Sequence, residues 1–265
     1  MLRLYWKNAT AKVVGSEHGI TPTDLSAIEG PLKRAHEAVV TSCREGKLGY
    51  AALPTNTEYK QQVKTLVDRY KDSTTDMVLL GIGGSALGNI ALQSALNPVT
   101  YNLQSARRRK GPRLYVLDNV DPVLVGDVLK QVSRRLRTTL FNVISKSGET
   151  AETASQFMIV RDLLQKKLYH DWEDRIVATT DMEKGTLHDI AKTDGFAMLP
   201  VPGDVGGRFS VLSPVGLFSA AMCNIDIDEL LAGAEAMRQR VEVMDIMQNP
   251  ATILAAVKYL SYTEK

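Results

Sequence analysis

The chain has 265 residues, with 32 Lys+Arg against 30 Asp+Glu and a formal net charge of +2. Its 44% hydrophobic and 23% charged residues give the balance of a folded globular protein, which excludes a disordered or fibrous chain. The near-neutral charge removes overall basicity as a reason to expect nucleic acid, and no apolar run of about 18 residues offers a membrane span.

Apolar positions recur at three- and four-residue steps over 23–45 and again over 57–70, so both stretches are expected to be helices. The pattern then changes. Met77-Val-Leu-Leu-Gly-Ile82 is a short continuous apolar run, as in a strand buried on both faces of a parallel sheet. Similar runs recur at 113–118, 139–144, 175–180 and, more weakly, 195–200. Between them, 86–96, 122–132, 150–167 and 184–191 scan as helix. This alternation predicts an α/β fold, a doubly wound parallel sheet between helix layers. Helical patterns return over 213–222, 226–247 and 251–262. The expected organisation is a helical arm over 1–55, a sheet domain over 56–224 and a helical extension over 225–265. The last pattern stops at Glu264-Lys265 without a capping glycine, so a cut chain is expected there.

Ligands of open α/β sheets bind beyond the carboxyl ends of the strands. After the first strand, Gly81-Ile-Gly-Gly-Ser-Ala-Leu-Gly88 runs into a helix. Glycines allow close backbone approach and a helix N-terminus favours an anion, although tight strand–helix packing alone would also explain the loop. After the third strand comes Ser145-Lys-Ser-Gly-Glu-Thr-Ala-Glu-Thr153. Its four hydroxyls, Ser145, Ser147, Thr150 and Thr153, and Lys146 suit a phosphate, which needs several converging donors. An ordinary N-cap uses one hydroxyl. Glu149 and Glu152 are expected to point away from such an anion. The third loop, Pro202-Gly-Asp-Val-Gly-Gly-Arg-Phe-Ser210, offers Arg208, although a lone loop arginine is usually solvated.

The strings Gly81–Gly88, Val143-Ile-Ser-Lys-Ser-Gly-Glu-Thr-Ala-Glu-Thr153 and Gly206-Gly-Arg-Phe-Ser-Val-Leu-Ser213 resemble the glucose-6-phosphate isomerase (phosphoglucose isomerase) family. The resemblance implies a sugar isomerase (SIS) domain with a five-stranded parallel sheet. It also implies interconversion of glucose 6-phosphate and fructose 6-phosphate in glycolysis and gluconeogenesis, through an enediol and without a cofactor. It makes Ser145, Lys146, Ser147 and Thr150 the phosphate cradle, with Thr153 just behind. Gly84 and Ser85 become substrate contacts, and Arg208, with Gly207, steadies the enediolate. Family members are longer and carry a second SIS domain. The glutamate base, ring-opening histidine and late lysine belong to motifs unmatched before Lys265, so the chain resembles the front half of a homodimeric enzyme and is expected to be inactive alone.

Two other readings compete. A non-catalytic sugar-phosphate-binding SIS module fits the same loops. An NAD-dependent dehydrogenase would use the Gly81 loop and Asp118, but leaves the Ser145 loop without a role. Arg107-Arg-Arg-Lys110 with Arg113, and Arg134-Arg-Leu-Arg137, read as solvated basic loops rather than a nucleic-acid surface. Met237, Met244 and Met247 read as a helical stripe for core or interface. Two cysteines far apart, Cys43 and Cys223, suit a reducing cytoplasm, and four histidines without ligand spacing give no metal site. The first residues, Met1-Leu-Arg-Leu-Tyr-Trp-Lys7, lack the apolar stretch of a secretory signal.

Overall fold

The computed structural model describes residues 3–264. In chain order its helices and strands are α1 (Ala11–Val14), α2 (Pro22–Arg44), α3 (Thr57–Tyr70), β1 (Asp76–Leu80), α4 (Gly84–Leu96), α5 (Ala106–Arg109), β2 (Arg113–Leu117), α6 (Pro122–Val132), β3 (Thr139–Ile144), α7 (Ala151–Leu168), β4 (Ile176–Thr180), α8 (Thr186–Asp194), β5 (Ala197–Pro200), α9 (Pro214–Met222), α10 (Ile227–Val241) and α11 (Pro250–Thr263). These residues form two compact units, one over 53–231 and one made of 3–52 with 232–264.

In the first unit the five strands are all parallel, in the order β2-β1-β3-β4-β5. Every residue of β1, β3 and β4 is buried, which is why these strands read as unbroken apolar runs. Successive side chains point to opposite faces. Val78, Phe141 and Val143 pack on one face with Val128, Val160, Leu164 and Leu187 from α6, α7 and α8. Met77, Leu140 and Val177 pack on the other with Val63 and Tyr70 of α3 and Leu217 and Phe218 of α9.

The amino ends of the strands carry a buried charge network. Asp76, fully buried, pairs in register with Arg113 on β2 and Thr139 on β3. Its carboxylate accepts from Arg135 Nε at 2.8 Å and Nη2 at 3.2 Å, from Arg113 Nη1 at 3.4 Å and from Thr75 Oγ1 at 2.9 Å. The two basic runs are therefore not simply solvated. Arg109 is also buried, with Nε donating to the Gly111 carbonyl at 2.8 Å and Nη1 to that of Gln104 at 2.6 Å. These arginines hold the fold together because each finds an acceptor that lies elsewhere in the chain or across a turn.

In the second unit α2 packs against α11. A capping box starts α2: the Thr21 hydroxyl accepts from the Asp24 amide at 3.2 Å and the Asp24 carboxylate accepts from the Thr21 amide at 2.8 Å. The helix expected over 226–247 ends at Val241 instead. Asn249 ends one helix and begins the next. Its Nδ2 donates to the carbonyls of Val241 at 2.8 Å and Val243 at 2.9 Å, while Oδ1 accepts from the amides of Ala251 at 2.9 Å and Thr252 at 3.2 Å. Pro250 then takes the first helical position, where its missing N–H costs nothing. Met244 and Met247 consequently lie off the helix, both exposed, so Met237, Met244 and Met247 do not form a single helical stripe.

Candidate functional site

The strand order reverses between β1 and β3, and the crevice beyond their carboxyl ends is where doubly wound sheets place ligands. The loops after β1 and β3 both run straight into helices, α4 and α7. The leading N–H groups of each helix have no partner inside it and carry the positive dipole end.

Gly84 opens α4 against the loop after β5. A Cβ placed there would lie 2.2 Å from the Gly207 carbonyl oxygen and 2.3 Å from its carbon, so only glycine allows this backbone contact. It brings the first and third loops together.

The loop after β3 is held by its own hydroxyls. Ser145 Oγ accepts the Gly148 amide at 3.1 Å and lies 3.2 Å from Thr150 Oγ1. The Ser145 carbonyl accepts from Thr180 Oγ1 at 2.7 Å, which ties the loop to β4. Ser147 Oγ accepts the Glu149 amide at 3.2 Å. Thr150 occupies the N-cap position of α7, yet its side chain caps no amide. Its hydroxyl is thus not consumed by the usual capping role.

A cleft of about 600 Å³ opens between these loops. Of the residues singled out in the sequence, Gly84, Ser85, Lys146, Ser147, Thr150 and Gly207 line it. Ser145 and Thr153 lie behind that lining, 4% and 2% exposed, and the Thr153 hydroxyl has no hydrogen-bond partner among the described atoms. Arg208 is exposed on the turn Gly207–Leu212 and does not line the cleft. Lys146 departs from the role of a free cation: its Nζ donates to the carbonyls of Gly203 at 2.7 Å and Val205 at 3.3 Å and so joins the second and third loops. Glu149 lines the cleft rather than pointing away.

Asp181, Lys184 and Gly185, from the loop after β4, also line the cleft and were not anticipated. The strand-end rule that located the other loops would have found them, because this loop follows the fourth strand directly. Asp181 Oδ1 accepts the amides of Glu183 at 2.8 Å and Lys184 at 3.3 Å. The Glu183 bond, against a smaller opposing effect of burial, holds that carboxyl below its ordinary range, and the Lys184 amide and the charges of Lys184 and His188 add to this.

Elsewhere the chemistry is sparse. A larger hollow of about 790 Å³ lies within the helical unit, lined by Lys7, Lys12 and Lys33 and by Thr10, Thr21 and Ser26 among others. Two of its hydroxyls are already engaged: Thr10 Oγ1 donates to the Lys7 carbonyl at 2.7 Å, and Thr21 Oγ1 accepts the Asp24 amide at 3.2 Å as the cap of α2. Burial pushes the Cys223 thiol up to about 12, so it stays protonated and unreactive.

A family profile described as phosphoglucose isomerase matches residues 35–264. The chain is 42% identical over 233 residues to a glucose-6-phosphate isomerase of Carboxydothermus hydrogenoformans, covering 86% of this chain and 50% of that protein. It is 39% identical over 246 residues to one of Rubrobacter xylanophilus, covering 92% and 55%. The chain thus spans about half the length of the curated relatives it matches. Among solved structures, a hypothetical protein of Thermus thermophilus superposes with a TM-score of 0.72 at 33% identity, over 90% of this chain and 54% of that one. A glucose-6-phosphate isomerase of Chlamydia trachomatis superposes at 0.73 with 21% identity, over 93% and 51%, which shows a shared fold.

Proposed function

The chain belongs to the phosphoglucose isomerase family, and on that premise we propose that its cleft holds the phosphate of glucose 6-phosphate or fructose 6-phosphate during their interconversion. The observation that carries this reading is Thr150: a hydroxyl at a helix N-cap, released from capping, beside Ser145 and Ser147 and facing an open cleft. Three phosphate oxygens need donors from several directions, and the helix amides of α4 and α7 with the Ser and Thr hydroxyls supply them. Gly84 and Ser85 stand where the sugar would meet the first loop.

Isomerisation of this kind moves a proton between two adjacent sugar carbons through an enediol. It needs a base, an acid–base for ring opening and a cation near the developing oxyanion. We assign the cation to Arg208, which stands outside the cleft lining and would reach the sugar by turning inward from its neighbour Gly207, which does line it, and we assign the base and ring-opening group to no residue of this chain. The sheet domain, over 56–224, accordingly supplies binding and charge stabilisation within a longer, homodimeric cytoplasmic enzyme. No helix among the described residues is long and apolar enough to cross a membrane. The dehydrogenase reading is set aside, because the family match covers the glycine loop and the Ser145 loop together.

Thr150→Val tests the reading. Phosphorus NMR titration of this chain with glucose 6-phosphate should show binding roughly ten- to a hundredfold weaker than wild type, the worth of a hydrogen bond to a charged group. Unphosphorylated glucose should not compete. Unchanged affinity in the variant, or equal binding of both sugars, would remove phosphate from the cleft.

A further inference from the structure

We propose that Lys184, on the loop after β4, is the cation that answers the phosphate in this cleft, a role that rests on the reading just given. Two lysines and two acids line the cleft: Lys146, Lys184, Glu149 and Asp181. Their formal charges cancel. Lys146 is committed to two backbone carbonyls and cannot leave them without releasing the loop after β5. Lys184 is exposed and is tied to no backbone carbonyl as Lys146 is; the charge that faces it in the lining is Asp181, whose carboxyl it helps to hold ionised. Removing its charge would leave the lining net negative, a poor host for a dianion.

The position of Lys184 is built rather than incidental. Gly185 beside it has φ +111°, and a Cβ there would lie 2.6 Å from the Ser147 carbonyl oxygen. Reciprocally, a Cβ on Gly148 would lie 2.5 Å from the Leu187 amide nitrogen. The loop after β4 and the Ser145 loop are therefore pressed together backbone to backbone from both sides. Asp181 fixes the turn that leads up to Lys184 by accepting its amide. A flexible stem on a rigid base suits a lysine, a compact point charge with three rotatable donors, that closes on a phosphate after it has entered.

Calorimetric titration with glucose 6-phosphate at low and high salt decides the matter, using wild type, Lys184→Met, Lys184→Arg and Thr150→Val. Lys184→Met should bind roughly ten- to a hundredfold more weakly, with a flatter salt dependence, while its thermal unfolding is unchanged. Lys184→Arg keeps the charge and should keep most of the affinity. If Lys184→Met matches wild type in affinity and salt dependence while Thr150→Val is weakened, the Lys184 assignment is wrong and the cleft reading stands. If wild type fails to bind, or Thr150→Val and Lys184→Met both bind as wild type does, the cleft reading itself falls, and the assignment with it.

Discussion

Gly84→Ala should abolish most sugar-phosphate binding, at least about a hundredfold, even though it adds one methyl group. The added Cβ would sit 2.2 Å from the Gly207 carbonyl oxygen, and both partners are backbone, so neither can swing aside. The loops after β1 and β5 must separate by more than an ångström to restore contact distance. A displacement of that size is enough to cost on the order of 10²-fold where several groups must converge on one ligand. Part of the strain should also appear as lost stability, about 1–3 kcal/mol, as in other overpacked sites. Titration with glucose 6-phosphate, read beside a urea melt, separates the two. A variant that binds like wild type would show that the two loops do not need their present spacing.

At the opposite edge of the sheet, Asp76→Asn should cost about 3 kcal/mol of stability, the low end of what breaking a buried ion pair costs, because Arg113 and Arg135 each keep about a third of their side chain in water. The pH dependence has a definite sign. Burial pushes the Asp76 carboxyl up, but the Arg135 and Thr75 hydrogen bonds and the charges of Arg135 and Arg113 outweigh it and hold the group below the ordinary carboxylate range. A group whose folded value is depressed favours the folded state above its unfolded value, near about 3.9 for aspartate, and loses that contribution as pH falls through the folded value. Wild type should therefore lose stability steeply below about pH 4, and Asp76→Asn should flatten that limb. Urea midpoints between acid and neutral pH measure both. An acid limb unchanged by the substitution would assign acid sensitivity to other carboxylates. Affinity for the sugar phosphate should hold in Asp76→Asn at neutral pH, since Asp76 starts β1 and the cleft lies past its other end.

The fold was legible for a physical reason. A parallel sheet covered on both faces writes its strands as unbroken apolar runs, and β3 starts and stops where the sequence pattern does, at Thr139 and Ile144. The loops after β1, β3 and β5 were legible because glycines and hydroxyls clustered there. The loop after β4 carries no such cluster. Its place after a strand was the one available signal; its seat against the Ser145 loop comes from Gly185 meeting Ser147, a contact between segments that no local pattern announces. The same is true of the basic runs: Arg113 and Arg135 meet Asp76 across 37 and 59 residues of chain. By contrast, the early end of α10 had a local signal that helical periodicity overrode. Asn249-Pro250 is a strong helix start, and it implies that the preceding helix has already stopped.

That asparagine has a consequence for how the protein ages. Asparagines in turns are prone to deamidation, in which the next residue's backbone nitrogen attacks the side-chain amide to form a cyclic imide. Here the product would be ruinous. A carboxylate at 249 would set negative oxygen against the carbonyls of Val241 and Val243, which now receive N–H donors. Pro250 prevents the reaction, because its ring nitrogen carries no hydrogen to lose. The residue that starts α11 thus also closes the imide route at Asn249, and the joint between the two helices is spared the commonest way of losing its donors.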